Sequence, residues 1–284
     1  YLSNVQDSEV FGNDVQGTPK EEQNTGNGIH LWKCERIRIE KNYCTGHRDG
    51  IYFEFVTDSD VLGNLSEKNI RYGLHFMFSH NDRYRENTFR NNGAGVAVMY
   101  SRQVEMTNNH FEHNWGGAAY GLLLKDISDS RIRHNEFKQN TAGIYMEGAS
   151  RIDVEQNRFE ANGWALRVQA SCDANNVREN VFIGNSFDVA TNGHLVLNKF
   201  EGNYWDKYEG YDLNRDGVGD VPFRPVSLYA VIVERMPFCM VLMRSFMVYL
   251  LDKAEKIMPS LTPEMLHDEK PLMREPQLNQ NHPT

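Results

Sequence analysis

The stretch "NTFRNN" at 87–92 returns as "NHFEHN" at 109–114, "NEFKQN" at 135–140, "NRFEAN" at 157–162, "NVFIGN" at 180–185 and "NKFEGN" at 198–203. An active site is not repeated six times along one chain. Asn-x-Phe-x-x-Asn recurring near every 22 residues is an architectural signal, and such a period marks a solenoid.

The glycines that open "GIHLW" (Gly28), "GIYFEF" (Gly50), "GLHFMF" (Gly73), "GVAVMY" (Gly95), "GLLLKD" (Gly121) and "GIYMEG" (Gly143) follow at steps of 22, 23, 22, 26 and 22 residues. "ALRVQA" at Ala165 begins one more turn after another 22. Each opening alternates apolar and other residues, as in Ile51/Phe53/Phe55 and Leu74/Phe76/Phe78. Period two means strand rather than helix. A second short strand follows in most turns, at Ile37/Ile39, Val104/Met106, Ile152/Val154 and Leu195/Leu197.

Short strands in 22-residue turns describe a right-handed parallel β-helix, with equivalent positions stacked about 4.8 Å apart. About eight turns between Gly28 and Trp205 would make a rod of roughly 38 Å. The first Asn of each turn (Asn42, Asn64, Asn87, Asn109, Asn135, Asn157, Asn180 and Asn198) is expected to form an amide ladder at a bent corner. Two residues on, Phe89, Phe111, Phe137, Phe159, Phe182 and Phe200 should stack inside the coil. All nine prolines lie at 19 or from 222 onward, as central strands that donate to their neighbours require. Cys34, Cys44 and Cys172 fall on separated turns, and Cys239 lies in the tail, so no bridge is expected.

The reading divides the chain into a coil over 1–205, an Asp/Gly-rich cap loop over 206–225 and a helical docking tail over 226–284. Residues 14–27, "DVQGTPKEEQNTGN", read as a disordered or exposed loop. The opening "YLSNVQDSEV" lacks the charged start and apolar run of a signal peptide, and "SEVFGN" at 8–13 already resembles a repeat. The start is therefore read as that of a mature or truncated product. A formal charge of −9 argues against a nucleic-acid or anionic-membrane ligand. No stretch reaches the roughly 20 apolar residues that span a bilayer.

Chemistry is sought on the outer columns. His75, Met77 and Met99 project from one face within about one rung, and imidazole with thioether is a soft set suited to Cu(I). Isolated surface His and Met need no explanation, so only the column geometry raises the patch above the background. His110 and His134, with Glu136 beside them, form a weaker patch. Asp212, Asn214, Asp216 and Asp220 place oxygens at alternate positions around Gly217, as Ca²⁺ requires, although Phe223 stands where an EF-hand has its bidentate Glu. Asx turns explain the same composition without an ion.

The scattered aspartates offer no carboxylate pair for hydrolysis, and no nucleophile elbow, P-loop or dinucleotide fingerprint occurs. No catalytic residue is assigned. In 237–251, twelve of fifteen residues are apolar. Phe238, Met240, Leu242, Met243, Phe246, Met247, Tyr249 and Leu250 are the candidate partner-binding residues, against the plainer reading of a cap over the open coil.

The Asn-x-Phe-x-x-Asn coil, then "GNYWDKYEGYDLNRDGVGDVPFRP" (202–225), then "SLYAVIVERMPFCMVLMRSFMVYLLDKAEKI" (227–257), resembles the NosD family from about residue 28 to about 272. The coil repeat is shared by many carbohydrate-active β-helices, and the 202–256 segment carries the resemblance. It implies a non-enzymatic periplasmic factor that works with an ABC transporter, NosF as ATPase and NosY as membrane subunit, in assembling the copper sites of nitrous oxide reductase. It further implies transient copper, a copper chaperone as donor, attachment to the inner membrane through the transporter, and earlier N-terminal turns. The competing reading is a polysaccharide-binding or polysaccharide-cleaving β-helix.

Overall fold

The computed structural model describes residues 1–18, 21–117, 119–193, 197–243, 245–258 and 262–277. Three nine-stranded sheets run the length of a parallel β-helix, each strand paired with its equivalent one turn away. The first sheet contains Ile29–Trp32, Asp49–Glu54, Tyr72–Met77, Ala94–Met99, Tyr120–Lys125, Ala142–Glu147, Trp164–Val168 and Phe187–Ala190. All register pairs within the sheets are parallel, as one-turn stacking demands. The strand-opening glycines admit this stacking: a Cβ on Gly73 would lie 2.7 Å from the Gly95 carbonyl oxygen and 2.9 Å from Asn92 Nδ2.

The corner ladder is present and better satisfied than a simple chain of amides. Asn135 Oδ1 accepts from Asn109 Nδ2 at 2.9 Å and from the Asn109 backbone N–H at 2.9 Å. Asn135 Nδ2 in turn donates to Asn157 Oδ1 at 3.0 Å and to the Met106 carbonyl at 2.9 Å. The second Asn of the motif builds its own ladder, with Asn114, Asn140, Asn162 and Asn185 linked at 2.9, 3.1 and 3.0 Å. Inside, Phe111, Phe137, Phe159 and Phe182 stack at 4.6, 4.9 and 4.9 Å between centroids.

The sixth copy, "NKFEGN", is out of frame. Asn180 to Asn198 is 18 residues, too short for a turn, whereas Asn180 to Asn203 is 23. The first ladder therefore continues to Asn203, which takes the Asn180 Nδ2 at 3.0 Å. Asn198 instead accepts from Asn175 at 2.8 Å in a separate short ladder. Phe200 pairs with Val177 in the second sheet, and Trp205 ends the aromatic column, 4.1 Å from Phe182.

Three further expectations need correction. Phe55 and Phe78 are not core residues: they sit at a corner with φ of 55° and 50°, where the strand alternation has ended. Leu197 is 70% exposed and outside any strand, and Leu195 lies outside the described residues. The 14–27 segment begins as strand, with Asp14–Gln16 paired to Tyr43–Thr45, and Glu22–Asn24 makes a 3-10 turn. The four cysteines are free, as the column spacing requires.

After the coil, α1 (Leu228–Arg235) buries Tyr229, Ala230, Val231 and Val233, and Tyr229 packs against Phe187 of the last first-sheet strand. Ser227 caps it by accepting from the Ala230 N–H. A 3-10 segment (Pro237–Leu242) leads to α2 (Phe246–Ile257). Glu255 of α2 reaches back to accept from the Leu228 N–H at 2.8 Å, so the helices brace one another. The chain then returns: Asp268 and Leu272 bridge Phe200 and Tyr204, and pair antiparallel to Phe223 and Val218 of the cap loop. Among the described residues no helix is long and apolar enough to cross a membrane.

Candidate functional site

The outer face of the first sheet gathers a set of polar and aromatic side chains. His30, Tyr52, His75 and Ala97 are successive register partners, and Glu54, Met77 and Met99 form the adjacent column. His75, Met77 and Met99 thus share one face across two rungs, in the columns the alternation indicated. Tyr1, His30, Tyr52 and His75 meet edge to face at 4.7, 4.7 and 5.0 Å.

His75 is not a surface residue, however. It is 4% exposed, with the Tyr72 ring 4.8 Å away and the Tyr52 ring on the previous rung. Beneath it lies Asp49, fully buried and gripped by Arg71 through Nε at 3.0 Å and Nη2 at 2.8 Å. Burial pushes the Asp49 carboxyl up, but hydrogen bonds from His75 and Arg71 outweigh it and hold the group below its ordinary value. His75 Nδ1 stands 3.5 Å from Asp49 Oδ2 and 3.3 Å from Arg71 Nη2. The Tyr52 hydroxyl donates to the Met77 thioether at 3.6 Å. Burial, then Glu54, raises the Tyr52 phenol to about 12, so it remains a donor at neutral pH.

The same patch concentrates buried polar atoms that lack a hydrogen-bond partner among the described residues: Asn27 Oδ1, His30 Nε2, Arg48 Nε and His75 Nε2. Native interiors leave few such atoms, and of the four only Arg48 Nε has a charged neighbour among the described residues, Asp49 Oδ2 at 3.8 Å. Along the neighbouring corner Phe55, Phe78 and Tyr100 stack at 5.3 and 5.0 Å while staying 45%, 37% and 41% exposed. Positive φ for bulky residues is costly, and other residues of that corner column are Lys33, Asp126 and Gly148. Sequence reasoning missed this row; the clue was three consecutive aromatics where the other turns carry polar residues or glycine.

The remaining candidates separate. His110 Nδ1 pairs with Glu136 at 3.1 Å in the third sheet, and its pKa is raised by that hydrogen bond. His134 sits at a corner instead and lines a groove with Asn108, Gln156 and Lys270. In the acidic loop, Asp212 accepts from the Asp216 and Gly217 N–H groups, Asp216 from Val218, and Asp220 from Leu213. Asn214 donates to Asp216 at 3.0 Å. These contacts are Asx-turn chemistry. Among the described residues no group of three or more His, Cys, Asp or Glu is arranged to hold an ion.

The tail divides its apolar residues between two faces. Met240 and Met243 turn inward against a small cluster built on Trp164, Phe187 and Tyr229. Phe238 (75%), Leu242 (46%), Phe246 (71%), Met247 (70%), Tyr249 (55%) and Leu250 (44%) remain exposed.

The fold is shared with the A-module of a mannuronan C-5 epimerase from Azotobacter vinelandii (TM-score 0.55, 12% identity, 70% of this chain and 73% of that one). It is shared also with a DFA-IIIase from Arthrobacter chlorophenolicus (TM-score 0.55, 14% identity, 66% and 53%). At such identities the likeness concerns the coil alone. A protein of Stutzerimonas stutzeri, "Probable ABC transporter binding protein NosD", is 29% identical across 97% of this chain and 67% of its own length. Its namesake in Pseudomonas aeruginosa is 30% identical over 39% of this chain and 27% of its own. The family model described as periplasmic copper-binding protein (NosD) matches residues 4–210, most of the coil, and the chain belongs to the NosD family.

Proposed function

We propose that this chain is a non-enzymatic periplasmic maturation factor, held by the membrane subunit of an ABC transporter and working in assembly of the copper sites of nitrous oxide reductase. Both curated relatives bear the name of an ABC transporter binding protein. The observation that carries the docking reading is the hairpin of the 3-10 segment and α2, whose outer face leaves Phe238, Val241, Phe246 and Met247 between 70% and 86% exposed. A face that apolar is a docking surface when it serves nothing within its own chain. Co-purification tests it: wild-type chain should retain the membrane subunit, and Phe246→Asp with Met247→Asp should lose it.

Copper enters this reading as cargo. His75, Met77 and Met99 suit Cu(I) by donor type, and the buried Nε2 of His75 has no hydrogen-bond partner among the described residues. A triple Ala variant at these positions should lose competition against a Cu(I) chelator while the coil remains folded.

A second reading, saccharide binding, is favoured by Asn27, His30 and Arg48. Asn27 Oδ1, His30 Nε2 and Arg48 Nε have no hydrogen-bond partner among the described residues, and the His30 ring lies against Tyr52, on a coil shared with enzymes of polysaccharides. Hydroxyl groups could satisfy acceptors and donors alike. Binding or turnover in an oligosaccharide panel would favour it, and a silent panel would remove it.

A further inference from the structure

We propose that Asp49 and Tyr52 set the affinity of the His75, Met77 and Met99 patch for Cu(I), Asp49 by fixing the imidazole tautomer and Tyr52 by holding the Met77 sulfur. The inference rests on the reading of that patch as the cargo contact, and goes beyond it by naming residues that never touch the ion.

His75 Nδ1 has two neighbours that treat it in opposite ways. Arg71 can only donate to it, from 3.3 Å, and Asp49 can only accept from it, at 3.5 Å. When Arg71 donates, Nδ1 is bare and Nε2 carries the hydrogen, a buried donor with nothing to receive it. When the Nδ1 hydrogen points at Asp49, Nε2 is a buried lone pair facing no proton. Only the second state offers nitrogen to a soft cation. Asp49 makes that state available, and Arg71 keeps the carboxylate charged and oriented through its two hydrogen bonds. Carboxylates behind a metal-binding imidazole act in this way, raising its basicity and fixing its ring.

Tyr52 works on the other ligand. Its ring covers His75 at 5.0 Å, and its hydroxyl occupies the Met77 sulfur at 3.6 Å. A thioether is a weak acceptor, so the contact is broken readily and still competes with an ion for the same lone pairs. Met99 follows Met77 in register on the next rung, with no such partner among the described contacts of its column. The hydroxyl, for which Glu54 in the same column as Met77 is the alternative acceptor, thus draws on the Met77 lone pairs and holds the affinity below what the three ligands alone would give. A factor that passes its cargo on needs such a limit.

The test uses the full chain with Cu(I) in competition against bathocuproine disulfonate. Asp49→Asn should weaken retention by roughly 10- to 100-fold, the usual effect of losing a partner behind a ligand. Tyr52→Phe should strengthen it several-fold. Nitrogen-15 shifts of His75 in the metal-free chain give an independent readout, with Asp49→Asn moving the hydrogen from Nδ1 to Nε2. If wild type and the His75, Met77, Met99 triple Ala variant hold Cu(I) equally, the cargo reading itself fails. If the triple variant loses Cu(I) while Asp49→Asn and Tyr52→Phe both match wild type, the cargo reading stands and this inference is overturned. Should Asp49→Asn not fold, Tyr52→Phe decides alone, because it removes a single hydroxyl from the outer face.

Discussion

Asp268 closes the asparagine ladder at Asn203, accepting from its Nδ2 at 2.9 Å and from its backbone N–H at 3.1 Å. The same carboxylate takes the Trp205 indole N–H at 3.0 Å and the Gly202 N–H at 3.1 Å. Every other rung of the ladder obtains its acceptor from the next turn, and the last turn has none. Asp268 supplies it from a segment 65 residues further along the chain. The return strap over 262–277 is thus part of the coil, and the helical hairpin is an excursion between two pieces of the cap.

Replacing Asp268 by Ala should therefore destabilise the coil itself. Each buried donor left without an acceptor costs about 1–3 kcal/mol, and the Asn203 amide and the Trp205 indole are both buried. Urea unfolding should show a lower midpoint. An unchanged midpoint would mean the strap is ornamental.

Within the rod, Asn135→Leu should cost about 1–3 kcal/mol, because it strands the Asn109 backbone N–H and one N–H of the Asn109 amide, whose other N–H keeps the Tyr84 carbonyl, and leaves Asn157 Oδ1 only the backbone N–H of residue 135. Asn198→Leu should cost less, since Asn198 belongs to the short outer ladder. Thermal melts of the pair compare the two positions, and equal losses would contradict the frame given to the sixth motif copy.

The coil was legible because hydrogen bonding one turn away forces chemically alike residues into columns, and columns are visible as periodicity. Asn198 misled because the motif matched in type while the 18-residue step did not fit a turn. The strap over 262–277 was illegible for a related reason. It contributes one rung only, so Asp268 has no repeat to announce it. At the candidate site, alternation put His75, Met77 and Met99 on one face. It could not show that Asp49, Arg71 and Tyr52 bury the imidazole, because those residues come from other rungs and from positions just before the strands.

Stability should also carry a pH signature from Asp82. Burial pushes this carboxyl well above its ordinary value, against one lowering hydrogen bond from the Ser59 N–H, and its Oδ2 has no partner among the described residues. A raised folded pKa means the folded state binds the proton more tightly than the unfolded chain. The contribution is complete below the unfolded value of 3.8 and is lost as pH rises toward the folded one. Asp82→Asn keeps the Oδ1 acceptor without the charge. It should match wild type at acid pH and become the more stable protein as pH approaches neutral. Parallel denaturation at several pH values checks this, and a difference independent of pH would refute it.

The last test separates docking from capping, and the strap determines its design. Cutting the chain at 237 would remove the exposed hairpin and Asp268 together, so unfolding of that product would say nothing about the hairpin. Replacing 237–257 with a short Gly/Ser linker keeps α1 on Phe187 and Asp268 on Asn203. It does remove Cys239, Met240, Met243, Val248 and Leu251, which cover the small cluster around Trp164, and with them the Glu255 brace. A loss of roughly 1–3 kcal/mol per uncovered apolar side chain is then expected, without collapse of the rod. The point variants avoid even that: Phe246 and Met247 are 71% and 70% exposed, and changing them to Asp gives up only the surface stacking of Phe246 on Tyr249. Both proteins should remain folded by circular dichroism, and both should fail to retain the transporter's membrane subunit. Folded variants that still bind it would place the interface elsewhere on the chain, and the exposed face of α2 would need another explanation.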